Sequence, residues 1–214
     1  MLGTQNLSLF VASCILLNLT PGQDTMFILG RSIAQGRKAG LISAMGIMSG
    51  VLIHTSLTAL GLSAILATSA LAFSIVKYAG AGYLIWIGVD FLRSRENSGK
   101  VEDVEREQLG TLTIYRQGVL TNVLNPKVSL FFLSFLPQFV DPQAEFIFTP
   151  FVVLGLIFFT TGSIWCTVLV FGSTWLTDKI QNRASVGGIL KKLTGILFVG
   201  LGIKLAFSHA QQIH

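Results

Sequence analysis

With 214 residues, 51% of them hydrophobic and only 12% charged, and a mean hydropathy of +0.69, the chain carries about half the charge of an ordinary soluble domain. Its net charge of +5 and isoelectric point near 9.5 would suit a nucleic-acid partner. That class is excluded, because the basic residues lie between long apolar runs and act as a topology signal.

Six apolar runs, at about 6–30, 39–67, 70–92, 117–139, 148–175 and 191–208, each come near the roughly 20 residues that a helix needs to cross a bilayer. They predict an all-α membrane protein of six transmembrane helices. The opening "MLGTQNLSLF" has no Lys or Arg, so it lacks the basic region of a signal peptide. Cys14 and Cys166 both fall within spans and read as buried free thiols rather than a disulfide.

Arg31, Arg37 and Lys38 follow the first span. Arg93, Arg95, Lys100, Arg106 and Arg116 separate the third from the fourth, and Lys179, Arg183, Lys191 and Lys192 the fifth from the sixth. Twelve of the 15 Lys and Arg thus occupy alternate connections, while those near 67–70 and 139–148 have none. The positive-inside rule makes the basic connections cytoplasmic and predicts both termini in the periplasm.

The polar stretch 93–116 divides the chain into two halves, 1–92 and 117–214, and reads as a charged cytoplasmic linker. The halves resemble each other weakly. "NLTPGQDTMFIL" in span one faces "NVLNPKVSLFFL" in span four, and "KYAGAGYLIWIGVDF" in span three faces "KKLTGILFVGLGIKL" in span six. Each half holds three spans, so the second enters the membrane from the opposite face. The expected architecture is two inverted three-helix repeats.

Spans one and four each carry a proline at their centre. Proline removes a backbone donor and disfavours helix at the residue before it. Thr20-Pro21-Gly22-Gln23 has the form of a helix start with Thr20 as cap, and Asn125-Pro126 repeats that signal. Pro21 lies about ten residues before Arg31, and Pro126 about ten after Arg116. At 1.5 Å per residue, each break falls roughly 15 Å from the cytoplasmic edge, near the midplane.

Broken backbone survives at that depth only inside protein or beside a wet cavity. A restarted helix offers free N–H groups to a carboxylate, and the carbonyls of a stopped helix suit an ammonium. Asp24 adds a negative charge and Lys127 a positive one, so the two breaks together complement a zwitterion. The candidate substrate-binding set is Asn18, Thr20, Pro21, Gly22, Gln23, Asp24, Asn122, Asn125, Pro126 and Lys127. Plainer readings stand beside it: a simple kink at each proline, Asp24 satisfying a helix dipole, or a structural Asp24–Lys127 pair.

His54 is the one histidine inside a span, and it reads either as a proton carrier or as a hydrogen-bonded packing residue. Asp24 and His54 are the candidates for proton coupling. Gly46–Gly50 and Gly195–Gly200 read as close-packing positions.

On "TPGQDTMFIL", "GRKAGLISAMGIMSGVLIH", "KYAGAGYLIWIGVDFLRS" and "GVLTNVLNPKVSLFFLSFLPQFV", the chain resembles the LysE/RhtB family of amino-acid exporters. The resemblance implies a proton-driven exporter of amino acids or their derivatives in the bacterial inner membrane. Its first motif falls on Thr20, Pro21, Gly22 and Asp24, and its second on Asn125, Pro126 and Lys127. Gln23 departs from the pattern, standing where members commonly have a second proline. The implied partners are an amino acid, protons and the lipid bilayer, with homo-oligomerisation left open.

No catalytic residue, metal or cofactor is expected. An enzyme would need a nucleophile–base pair or a metal cluster, and the spans offer one histidine and no His-Glu-x-x-His. A metal or inorganic-ion transporter of similar six-helix build is the rival, with Asp24 and His54 as its few ligands.

Overall fold

The computed structural model describes residues 3–68, 70–93, 108–141, 144, 146, 148–173 and 184–207. The bulk of the charged linker, and the tail carrying His209 and His214, lie outside the described residues. So do Lys179 and Arg183.

Helix α1 (Leu7–Leu19) ends at the first proline break, and α2 (Gln23–Thr68) restarts beyond it. Helix α3 is Ala70–Arg93. The second break falls between α4 (Thr111–Val123) and α5 (Pro126–Leu130). A π-helical turn, Phe131–Phe135, and a 3₁₀ turn, Leu136–Phe139, continue α5. Helices α6 (Phe148–Phe171) and α7 (Ala184–Phe207) complete the described part.

Two of these helices, over Gln23–Ser63 and Phe148–Phe171, are long and apolar enough to cross a membrane. Taken as one span, the pair Thr111–Val123 and Pro126–Phe139, bent by 46°, makes a third. The burial pattern also suits a bilayer. Met45, Leu57, Ile164 and Trp86 are each more than 60% exposed, while Thr20, Asn122 and Asn125 are buried. The chain is a multi-pass membrane protein.

Two boundaries differ from expectation. The segment 31–38 was expected to connect two spans, and the connection is a single residue, Gly36 (φ 82°, ψ 178°), at which two helices meet. A positive φ costs glycine little, so one residue redirects the chain where a longer loop was anticipated. Helix α4 starts at Thr111, inside the stretch assigned to the linker.

Helix α2 packs mainly on α4 and α6, and α3 on α7. Close approach depends on absent side chains. A Cβ on Gly46 would lie 3.1 Å from the Gly118 Cα, and one on Gly118 would lie 3.2 Å from the Gly46 Cα. Gly88 and Gly195 are related in the same reciprocal way, each hypothetical Cβ meeting the other's carbonyl oxygen at 2.8 and 2.7 Å. Without side chains in between, van der Waals contact runs from backbone to backbone. Gly200, by contrast, has nothing within 4 Å.

At one end of the molecule the N-terminal segment pairs with residues 139–141, Gln5 N donating to Phe139 O (2.8 Å) and Asp141 N to Gly3 O (2.9 Å). Beneath this bridge Phe10, Phe131, Phe135 and Phe139 form a solid aromatic plug, with ring centroids 4.6 Å apart for Phe131–Phe135 and 5.1 Å for Phe10–Phe139. Cys14 and Cys166 are both buried and free.

Candidate functional site at the paired helix breaks

The first break forms as proline requires. Thr20, directly before Pro21, leaves the helix for an extended conformation (φ −72°, ψ 115°). Its hydroxyl was expected to cap the restarted helix. Instead Thr20 Oγ1 donates back to Leu16 O (2.7 Å) and meets Thr194 Oγ1 of α7 at 2.7 Å. The restart comes later than expected, at Gln23, with Gly22 O accepting from Met26 N (3.0 Å). Thr20 is extended and Pro21 and Gly22 stand between it and the first turn of α2, so its hydroxyl serves α1 instead.

The second break is capped as expected. Asn125 is extended (φ −73°, ψ 110°), Pro126 opens α5, and Asn125 Oδ1 accepts from Lys127 N at 3.0 Å.

The breaks then bind each other. Lys127 Nζ donates to Leu17 O (3.3 Å) and Thr20 O (3.1 Å), two carbonyls that the end of α1 leaves without helical partners. In the other direction, Asp24 in the first turn of α2 accepts from Asn122 Nδ2 (2.9 Å) and Asn125 Nδ2 (3.1 Å). Asn125 thus uses its oxygen to cap α5 and its nitrogen to hold Asp24. Gly22 makes room for this arrangement, since a Cβ there would sit 3.0 Å from Lys127 Nζ. The two charges are held by neutral groups rather than by a direct contact with each other.

His54 lies behind this set. Its Nε2 is 3.2 Å from Asn122 O, and its ring stacks on Phe132 with centroids 5.5 Å apart. A carbonyl only accepts, so Nε2 carries hydrogen in this contact. Asn122, 1% exposed, therefore bonds His54 through its backbone and Asp24 through its side chain.

Beside the breaks lies a small cavity that is partly open on one side. Its polar end is formed by Asn18, Asp24, Asn122 and Lys127. Asn18 is itself held by a long contact from Nδ2 to Thr161 Oγ1 (3.4 Å). The rest of the wall is apolar: Ile28, Ile47, Met48 and Val51 from α2, and Phe158, Trp165 and Leu169 from α6. One pole binds charge and the other excludes water, a combination that fits a small amphiphilic molecule.

Of the residues singled out in the sequence, those four polar ones line the cavity. Thr20, Pro21, Gly22, Asn125 and Pro126 shape the breaks without lining it, and Gln23 is exposed and off its wall. The apolar wall escaped the sequence reading. In a helix that is hydrophobic all round, such as α6, a residue facing a cavity looks like one facing lipid. Helical spacing of Phe158, Gly162, Cys166 and Leu169 was the one available signal.

The family described as LysE type translocator matches residues 15–209. The chain is 30% identical over 210 residues to the leucine efflux protein of Enterobacter sp. (strain 638), covering 97% of this chain and 98% of that one. It is 28% identical over 205 residues to the leucine efflux protein of Salmonella choleraesuis (95% and 96% covered). It is also 31% identical over 208 residues to an uncharacterized membrane protein of Pseudomonas aeruginosa (96% of each). No solved structure matches it significantly.

Proposed function

The chain belongs to the LysE type translocator family, and from that premise we propose that it exports an apolar amino acid of leucine's class across the bacterial inner membrane in exchange for protons. The observation that carries this reading is the two-ended cavity, with Asp24 and Lys127 at one pole and a wall of Ile28, Ile47, Val51, Phe158 and Leu169 at the other. A free amino acid has both opposite charges at one end and its side chain at the other, which suits a pocket with a few polar groups and an apolar wall. Two relatives named as leucine efflux proteins support the same class.

In this reading the substrate ammonium docks at Asp24 and its carboxylate at Lys127, while the side chain enters the apolar half. Six spans form two inverted repeats, with both termini periplasmic and the charged stretch between Arg93 and Thr111 as the cytoplasmic linker. A Cβ on Gly88 would meet the Gly195 carbonyl oxygen and one on Gly202 the Ala81 carbonyl oxygen, each at 2.8 Å. Gly88 aligns with Gly202 and Ala81 with Gly195 between spans three and six, which supports a pseudo-two-fold axis. With the basic connections inside, the cavity opens to the cytoplasm and the Phe10–Phe139 plug closes the periplasmic side. Rocking of the halves about the breaks exchanges the two states.

Protons enter through Asp24 or His54. The Asp24 carboxylate accepts from two amide N–H groups. Protonating one oxygen turns an acceptor into a donor facing a donor, which breaks one of these bonds and loosens the junction between halves. Among the described residues no three His, Cys, Asp or Glu side chains gather, so no observation favours the metal-ion alternative.

The test is export from bacterial cells overexpressing the chain and loaded with mixed dipeptides. Leucine and its apolar neighbours should accumulate in the medium selectively, and a protonophore should stop them. Release equal to that from cells carrying Asp24→Asn would overturn the amino-acid reading.

A further inference from the structure

Within the amino-acid reading, on which it rests, the geometry points to Gly162 and Met48 as the pair that sets the size of the side chain the transporter accepts. Helix α6 lines the cavity with Phe158, Gly162, Cys166 and Leu169, which recur at spacings of four, four and three and so share one face. Gly162 alone in that stripe has no side chain, and Met48 packs into the notch it leaves.

The notch is bounded on two sides. A Cβ on Gly162 would lie 3.3 Å from Met48 Cε and 3.4 Å from Met48 Sδ, and 3.9 Å from Asn18 Oδ1. Asn18 belongs to the polar pole and Met48 to the apolar wall. The notch therefore starts at the level where a bound α-carbon would sit, and a side chain leaving that carbon meets Met48. An alanine methyl is accommodated by a shift of a few tenths of an ångström in a flexible methionine, so the fold tolerates it. The displaced methionine moves towards the cavity it lines, and that narrows the space for substrate. This differs from Gly46 and Gly118, where an added methyl would meet backbone.

The test uses purified full-length protein in proteoliposomes, measuring counterflow of labelled alanine, valine, leucine and phenylalanine. Gly162→Ala should lower the leucine-to-alanine ratio roughly tenfold, the scale of one methylene in an apolar pocket. Met48→Ala should raise phenylalanine relative to leucine by a similar factor. Wild-type ratios in both variants overturn the pair as size selector. So does loss of all four amino acids in Gly162→Ala with unchanged ratios in Met48→Ala, which assigns the glycine to packing. A wild type that moves none of the four sinks the transport reading, and the selector with it; leucine counterflow with unaltered ratios sinks the selector alone.

Discussion

Lys127 and Thr20 belong to opposite halves of the chain, yet the Lys127 ammonium nitrogen lies 3.1 Å from the Thr20 carbonyl oxygen. Asp24 makes the converse reach, from the first break to Asn122 and Asn125 of the second. The first break exposes carbonyls that Lys127 of the other half satisfies, while Asp24 holds the asparagine side chains beside the second break, whose backbone Asn125 caps itself. The same groups form the polar pole of the cavity. Occupying the cavity and joining the halves therefore draw on one set of hydrogen bonds.

Asp24→Asn tests the acceptor side of this junction. Asparagine keeps one oxygen to accept from one amide but turns an NH₂ towards the other. Losing one such bond is worth about 1–2 kcal/mol. Leucine export should fall at least about tenfold, with the protein still present in the membrane fraction by immunoblot.

Lys127→Ala leaves the Leu17 and Thr20 carbonyls without their donor. Thermal unfolding in detergent should show a loss of about 2–3 kcal/mol, and export should cease. Lys127→Arg should not restore it, because the ammonium lies so close to Gly22 that even a methyl there would stand 3.0 Å from it. Full export by the arginine variant would remove the ammonium's fit from the account.

Gly50→Ala acts from outside the cavity wall. The new methyl would lie 2.6 Å from Asn122 Oδ1 and 2.7 Å from its Cβ, so α4 or the whole Asn122 side chain must move. That displacement withdraws Asn122 from Asp24. Export should drop as in Asn122→Ala, and combining the two substitutions should add little. Fully additive losses would mean that Gly50 acts elsewhere.

Pro126→Ala and Asn125→Ala should differ in severity. Alanine at 126 restores a backbone donor but leaves the Asn125 cap and its bond to Asp24, so export should fall only a few-fold. Asn125→Ala removes both the cap and one Asp24 partner, and the loss should be at least tenfold larger. Equal transport rates in the two variants would show that neither the cap nor the Asp24 bond limits export.

Much of this site was legible in the chain itself. Pro21 and Pro126 mark the interruptions because their ring chemistry excludes helix at the residue before, whatever the surroundings. Asn125 could be read as a cap because Asn before Pro carries the whole local signal. Thr20 carried a similar signal and was misread. The helix restarts only at Gln23, and the nearby Leu16 carbonyl and Thr194 hydroxyl take the hydrogen-bonding capacity of Thr20 instead.

What the sequence determined alone was therefore local and compositional: apolar helices, the two breaks, the basic connections, and the costly intramembrane charges of Asp24 and Lys127. These follow from covalent geometry and from the free energy of placing each residue type in hydrocarbon. Only the tertiary structure decided that each charge serves the opposite break rather than the other charge, and that Gly36 alone joins two helices. It also decided which faces of α2 and α6 enclose the cavity. Pairings across more than 100 residues depend on how the helices pack, and a bilayer makes lipid-facing and cavity-facing side chains alike in composition.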